Sequence, residues 1–477
     1  MRFALGLFLF LQLAACSGDN PATDENVDLV IANGLIIHPD RDRETQTEDI
    51  AIKDGRIIAV GPGLAETFDA NETYDATGRY LIPGLADLHS HFGNGVLAPE
   101  EDDTTEVLAR HLYFGNTTIL NLGSYQAWPE RIDALRKDMA AGSLKGPRLL
   151  AVGALITMPG SHPTTTIYGP EAQQTIAAII ADKGTDEAID LTPLRATTLV
   201  STPDQLEGET RRLGEWGAHA IKITVESGPS EFGDDHPQMT PAMISAAAAA
   251  AEEYDIPLLC HISSLDELEA CLENGADAVV HGLTPTGNEP LPTDLETRMA
   301  DAGFTLIPTA AMFEGWMRYT DDPSLLGQPA LQPVLSERER ALFGSPQMLE
   351  TFASDDAWAR SVALLGAHIK KLHDAGGLIV AGTDTGNPYR FAGLALHEEL
   401  AFYVKSGLSP REAIATATTN AARFMNAQDE WGAIAPGLAA DIVVLEANPL
   451  EDIANTQRII DIIQAGRIVE RESLKLR

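Results

Sequence analysis

Apolar residues fall into two kinds of run, and the change from one to the other divides the chain. From Val27 to Tyr80 they form strand-like stretches separated by tight-turn dipeptides. Val27-Asp28-Leu29-Val30-Ile31-Ala32 runs into Asn33-Gly34, and Asp49-Ile50-Ala51-Ile52-Lys53 runs into Asp54-Gly55 and then Arg56-Ile57-Ile58-Ala59-Val60. Asn-Gly and Asp-Gly supply the positive φ angles that hairpins need. The same pattern returns after Trp431, in Asp441-Ile442-Val443-Val444-Leu445 and Ile459-Ile460-Asp461-Ile462-Ile463. Between these ends, short apolar strands alternate with segments of helical period. Thr202 before Pro203, Thr240 before Pro241, Ser264 with Glu267, and Ser409 with Pro410 and Glu412 read as helix starts, while Asn274-Gly275 and Gly376-Gly377 read as stops. Alternation of this kind over about 350 residues predicts an α/β architecture large enough for one eight-stranded barrel.

Chemistry-bearing side chains sit where those strands end. Leu81-Ile82-Pro83-Gly84-Leu85-Ala86-Asp87-Leu88 closes on His89-Ser90-His91, and alternate residues of a strand face one side, so both imidazoles can reach a single ion. In Ala220-Ile221-Lys222-Ile223-Thr224-Val225 the residues Ile221, Ile223 and Val225 share one face and Lys222 lies on the other with Thr224. A lysine inside a barrel has no water and needs compensation; the bland alternative is a snorkelling or salt-bridged lysine. His261 ends Leu258-Leu259-Cys260-His261, His281 ends Ala278-Val279-Val280-His281, and Asp384 closes Leu378-Ile379-Val380-Ala381-Gly382-Thr383-Asp384. In a barrel, such strand ends carry function.

These six residues, in this order, resemble the metal-dependent amidohydrolase superfamily: His-x-His after strand one, lysine after strand four, histidines after strands five and six, aspartate after strand eight. Ala218-His219-Ala220-Ile221-Lys222, His236-Pro237-Gln238-Met239-Thr240 and Pro436-Gly437-Leu438-Ala439-Ala440-Asp441 look like the branch holding imidazolonepropionase-like proteins and Xaa-Pro dipeptidases. The resemblance implies a (β/α)8 TIM barrel over residues 83–430 and a small composite β-sandwich built from 27–82 and 431–477. It implies two divalent ions, with zinc the expected metal. His89 and His91 would hold one, His261 and His281 the other, and Lys222 carboxylated by CO2 would bridge them. Asp384 would be both ligand and proton carrier. The implied reaction is hydrolysis of an amide bond in a small substrate, a dipeptide of Xaa-Pro or related type. A lactonase or cyclic-amidine or imidazolone hydrolase is the second reading, and a non-catalytic scaffold the third. One position departs from many relatives, which carry a second histidine where this chain has Ser263.

Two long stretches, Thr157 to Val200 and Ala310 to Pro346, fall on the active-site side by barrel logic. In the first, His162 is a candidate substrate contact. In the second, Met312, Phe313, Trp316, Met317 and Tyr319 form either a lid or core packing. Arg390, six residues past Asp384, is the candidate grip on a dipeptide carboxylate through a two-point fork.

Composition then narrows partners and place. A net charge of −37 sets nucleic acid aside as a partner. The apolar run Phe3 to Leu13 is well short of the ~20 residues that span a bilayer, so it reads as a signal segment. Leu13-Ala14-Ala15-Cys16 resembles a lipobox: residues 1–15 would be removed, Cys16 lipidated, and 16–26 left as a tether. Ser17 resembles lipoproteins routed to the outer membrane, so a lipid anchor facing the periplasm is the expected membrane contact. Cys260 and Cys271, the other two cysteines, read as buried core residues. The oligomeric state stays open.

Overall fold

The computed structural model describes residues 26–41, 45–92, 104–124, 128–164, 170–191, 197–226, 236–283, 291–353 and 356–475. Cys16 and the leader expected before it lie outside these residues. The first apolar runs form β1 (Asn26–Ile36), β2 (Gln46–Lys53), β3 (Arg56–Gly61), β4 (Asp69–Asp75) and β5 (Tyr80–Pro83). β2 and β3 are an antiparallel hairpin turned by Asp54 at φ 51° and Gly55 at φ 75°, the left-handed pair that Asp-Gly favours. Asn33-Gly34 does otherwise. It lies within β1, where the register with β2 slips between Ile31 and Gly34, so the dipeptide makes a bulge and the strand continues.

The barrel strands follow as β6 (Leu85–Ser90), β7 (Asn116–Asn121), β8 (Arg148–Ala151), β9 (Leu155–Thr157), β10 (Ile189–Asp190), β11 (Thr197–Leu199), β12 (Ile221–Thr224), β13 (Leu258–His261), β14 (Ala278–Val280), β15 (Thr305–Ile307) and β16 (Leu378–Ile379). β6, β7 and β8 pair in parallel, as do β12 through β16, with β9 beside β12. β8 and β9 together make the third barrel strand, and β11 and β10 extend outward from β9. His219 N donates to Ala151 O at 2.9 Å, joining the third and fourth strands. Closure comes from Leu88 N to Ala381 O at 3.0 Å and His91 N to Thr385 O at 2.8 Å.

Two-residue periodicity separates the barrel's faces. Ala86, Leu88, Leu120, Leu150, Ala220, Leu259, Val280, Ile307 and Val380 pack into one interior cluster, whereas Ile221, Ile223, Val225, Leu258, Cys260, Val279 and Leu306 pack outward with the helices. The strand-eight segment passes close to its neighbours at Gly382, where a Cβ would stand 2.6 Å from both His89 Cβ and Ile307 Cγ2. Only glycine lets the barrel close this tightly.

After the barrel come β17 (Ile442–Leu445), β18 (Ile459–Gln464) and β19 (Arg467–Ile468). β17 pairs with β5, so both chain ends share one sheet in the order β19-β18-β17-β5-β1-β2-β3, with β4 on β1. Leu81, Ile442, Val444 and Ile463 face the small domain's own core, while Ile82, Val443, Leu445 and Ile462 join the barrel's outer shell. The domain is thereby fastened to the barrel by alternate side chains of its central strands. Thr202 and Thr240 cap their helices by accepting from Gln205 N and Met243 N, and Ser264 and Ser409 form reciprocal capping boxes with Glu267 and Glu412. Among the described residues no helix is long and apolar enough to cross a membrane.

Candidate metal centre

The first histidine pair is aimed by a fault in the strand. β6 and β7 pair Asp87 with Ile119 but then Ser90 with Asn121, one residue extra on β6. Such a bulge re-aims the following side chains. Ser90 Oγ consequently meets His111 Nε2 at 3.0 Å, while His89 and His91 turn toward Asp384. At the ends of the sixth, seventh and eighth strands, His281 (φ 70°), Thr309 (φ 45°) and Asp384 (φ 55°) are all left-handed. For an L-residue that conformation costs about 1–2 kcal/mol, and strain of this kind concentrates at functional sites.

Two groups of donors result. His91 Nε2 lies 3.0 Å and His89 Nε2 3.4 Å from Asp384 Oδ1. His91 Nδ1 is engaged by Gly123 O, which leaves Nε2 for the site. His89 is 1% exposed, and neither of its ring nitrogens has a hydrogen-bond partner among the described residues. A buried imidazole without partners is costly, and a divalent cation between His89, His91 and Asp384 would satisfy it.

In the second group His261 Nδ1 and His281 Nε2 stand 2.9 Å apart. Two nitrogens on a tetrahedral zinc, each ~2.0–2.1 Å from it, are roughly 3.3 Å apart, so a small opening of this pair would seat an ion. Their other nitrogens are occupied: His261 Nε2 faces Glu226 Oε2 at 2.8 Å, and His281 Nδ1 faces Thr309 Oγ1 at 2.9 Å. His162, Glu226 and His261 also bring three donor atoms together. That arrangement would require His261 Nε2 as ligand, whereas the carboxylate at 2.8 Å suits an N–H on that atom. We therefore favour the His261–His281 pair.

Lys222 is 2% exposed and close enough to both groups for its charge to act on His89 and on His281. Burial pushes its amine down to about 7, against the opposing pull of the Asp384 carboxylate. Burial, reinforced chiefly by Lys222 at His89 and by His261 at His281, holds both imidazoles well below their ordinary range. Uncharged imidazoles offer lone pairs to a metal, and an uncharged amine can react with CO2.

Several site residues escaped the sequence reading. Glu226, 1% exposed, follows Lys222 and Thr224 at alternate positions, so the period that singled out Lys222 reaches it too. Asp87 accepts from Thr383 Oγ1 (2.6 Å), Thr383 N (3.1 Å) and His89 N (3.2 Å), tying the first strand to the eighth. Burial raises its carboxyl to about 7, with the Thr383 hydroxyl opposing. Thr309 has no signal in the sequence, because its role depends on the turn after β15.

Other expectations are redirected. His162 does reach the centre, with its ring stacked on His261 at 4.4 Å between centroids and Nδ1 3.6 Å from Glu226 Oε2. Ser263 N donates to Glu267 Oε2 at 2.7 Å, so this position serves the cap of the following helix. Met312, Phe313, Trp316 and Tyr319 are buried in the main core along the helix Ala310–Asp321, which makes them packing residues and not a lid.

Arg390 is a correction. Its side chain is fully buried, with Nη2 2.6 Å from Glu398 Oε2, Nε on Tyr389 O at 3.0 Å and Nη1 on Ala311 O. The guanidinium fork is spent on the protein, and a dipeptide carboxylate has no face of it to approach. Arg390→Ala should therefore lower stability by about 3 kcal/mol, the low end for breaking a buried ion pair, because Glu398 Oε1 keeps its bonds from Arg318 and Tyr319. It should not discriminate between free-carboxylate and amidated substrates. Thermal unfolding and a comparison of KM for the two substrate kinds check this; a selective rise in KM for free carboxylates would return Arg390 to the site.

Comparison with known proteins gives a consistent picture. A model of the amidohydrolase family matches residues 80–469. The chain is 24% identical over 462 residues to an ochratoxinase from Aspergillus niger, covering 91% of this chain and 84% of that protein. A Xaa-Pro dipeptidase solved with methionine in its active site has a TM-score of 0.70 at 21% identity, over 93% of this chain and 99% of the other. A candidate prolidase from Bifidobacterium longum has a TM-score of 0.69 at 23% identity, over 94% and 95%. At these identities the structural likenesses show the fold.

Proposed function

Because the chain belongs to the amidohydrolase family and is a metal-dependent hydrolase of C–N bonds, we propose that its substrate is a small dipeptide of Xaa-Pro or related type, cleaved at a two-metal centre. One observation carries the two-metal reading: there are two donor groups, His89 with His91 and Asp384 and the facing nitrogens of His261 and His281, and the buried Lys222 is near enough to act electrostatically on a histidine of each. The dipeptide reading is supported by the likeness in fold to a Xaa-Pro dipeptidase and by the presence of the lysine.

His89, His91 and Asp384 would hold one zinc ion and His261 with His281 the other. The ions would supply Lewis acidity, lowering the pKa of a water and polarising the scissile carbonyl. Lys222 would contribute an anionic ligand: its neutral amine nitrogen would bond the carbon of CO2 and release a proton, giving a carbamate with two oxygens. Asp384, whose Oδ1 faces both histidines of the first pair, accepts the proton of the attacking water and returns it to the departing nitrogen. Asp87 and Thr383 keep that carboxylate in place by locking the eighth strand to the first.

The test is turnover by the zinc-loaded protein on a panel of Xaa-Pro dipeptides, other dipeptides, lactones and an imidazolone. Dipeptides should be the best substrates, with Xaa-Pro among the leading ones. Turnover confined to lactones or the imidazolone would overturn the substrate class, and two bound ions without any turnover would favour a scaffold.

The reading extends to location through Cys16, proposed as the lipid-bearing residue of a protein held at the outer membrane. Cys16→Ser should abolish incorporation of labelled fatty acid and move the protein from the membrane to the soluble fraction. Unchanged labelling would reject the lipid anchor.

A further inference from the structure

An imidazole placed at a metal site can present either nitrogen after a half-turn of the ring, so something must choose between them. At His261 the choice is built from residues that the reaction itself does not consume. Glu226 Oε2 lies 2.8 Å from His261 Nε2, His261 Nδ1 lies 2.9 Å from His281 Nε2, and His281 Nδ1 lies 2.9 Å from Thr309 Oγ1. The line begins at a buried carboxylate and ends at a hydroxyl. A carboxylate is acceptor-only, so it requires a proton on Nε2 and leaves the lone pair on Nδ1, toward His281. Charge donation through that hydrogen bond also makes the ligand nitrogen more basic.

The sequence places Glu226 for this task. It lies four residues beyond Lys222, two past the end of β12 and in step with the alternation of that strand, so one segment delivers both the buried lysine and the acid behind His261. The His162 ring covers a face of His261, nearly parallel to it at 18°, and blocks the ring from tipping out of line. We propose that Glu226 is a positioning residue that fixes His261 as an Nδ1 ligand of the second ion. The proposal rests on the two-metal reading above.

Two variants test it. Glu226→Gln keeps the shape and can still accept a hydrogen bond through its amide oxygen but removes the charge; Glu226→Leu removes both. Zinc binding to each metal-free protein is measured by calorimetry, ion content by elemental analysis, and the coordination sphere by the visible absorption of the cobalt-substituted protein. The second ion should bind roughly 10–100-fold more weakly in Glu226→Leu, the range for loss of a partner behind a metal-bound histidine. Glu226→Gln should fall between that variant and the wild type. The first ion's affinity and the cobalt band positions at saturation should stay as in the wild type. Wild-type affinity for both ions in both variants would overturn the inference. So would a changed cobalt spectrum in Glu226→Gln, which would make Glu226 a ligand itself. If the wild type holds one ion and the variants weaken it, the two-metal reading falls while the role of Glu226 behind His261 stands; one ion with unaltered affinity in both variants overturns both.

Discussion

Lys222→Ala should cost about 10³-fold or more in kcat/KM and leave the protein with fewer than two bound ions. The size follows from what the side chain would supply: loss of several kcal/mol of Lewis-acid stabilisation, at 1.36 kcal/mol per decade, reaches that range. The competing account is a lysine that snorkels to water or merely pairs with a carboxylate, and it predicts little change in turnover. Its burial speaks against snorkelling, because at 2% exposure the amine has no solvent to reach. A further consequence separates the readings. Alanine would open a space beside His89, His281 and Asp384 of the size that a short carboxylic acid fills, so propionate or a similar acid should restore part of both metal content and rate. Elemental analysis and rates with and without the acid check this. Near-normal turnover with one ion would favour a mononuclear site.

Asp384→Asn should lower kcat by about 10²–10⁴-fold, the usual contribution of a general acid–base group, while melting close to the wild type. The structural duties of residue 384 are carried by its backbone: its N–H donates to His89 O at 2.7 Å, and its carbonyl accepts from Asn387 N and Nδ2. Asparagine keeps both and tolerates the left-handed φ of 55°. The substitution therefore isolates the carboxylate. A rate within a few-fold of wild type would remove Asp384 from the proton path, and a large fall in melting temperature would show that it is chiefly structural.

How far the chain could be read in advance depended on whether a feature is local. Helix caps at Thr202, Thr240, Ser264 and Ser409 need only three or four neighbouring residues, and they form as written. The face assignment at Lys222 needs only strand period, and Ile221, Ile223 and Val225 do pack outward. By contrast, spacing alone would send His89 and Leu88 to opposite faces. The bulge that turns both histidines inward arises from pairing with β7, a partner that the run Leu81 to His91 does not identify. Arg390 failed for the same kind of reason: Glu398 lies only eight residues on, but the helix Leu394–Lys405 and the helix Ala310–Asp321 must first assemble around it. Asn33-Gly34 has the composition of a turn and yet stays within a strand: Asn33 takes the left-handed φ of 61° as a bulge in the ladder with β2, while β4 before the dipeptide and β5 after it keep β1 in the sheet. Glu226 was within reach of the strand argument; burial and its contact with His261 are what give it significance.

The most direct measurement of the two-metal account is anomalous diffraction at the zinc edge from crystals of the zinc-loaded protein. The account predicts two peaks per chain, one among His89, His91 and Asp384 and one at the facing nitrogens of His261 and His281, with density for a carboxylated Lys222 between them. A single peak, or a second peak enclosed by His162, Glu226 and His261 Nε2, would contradict it.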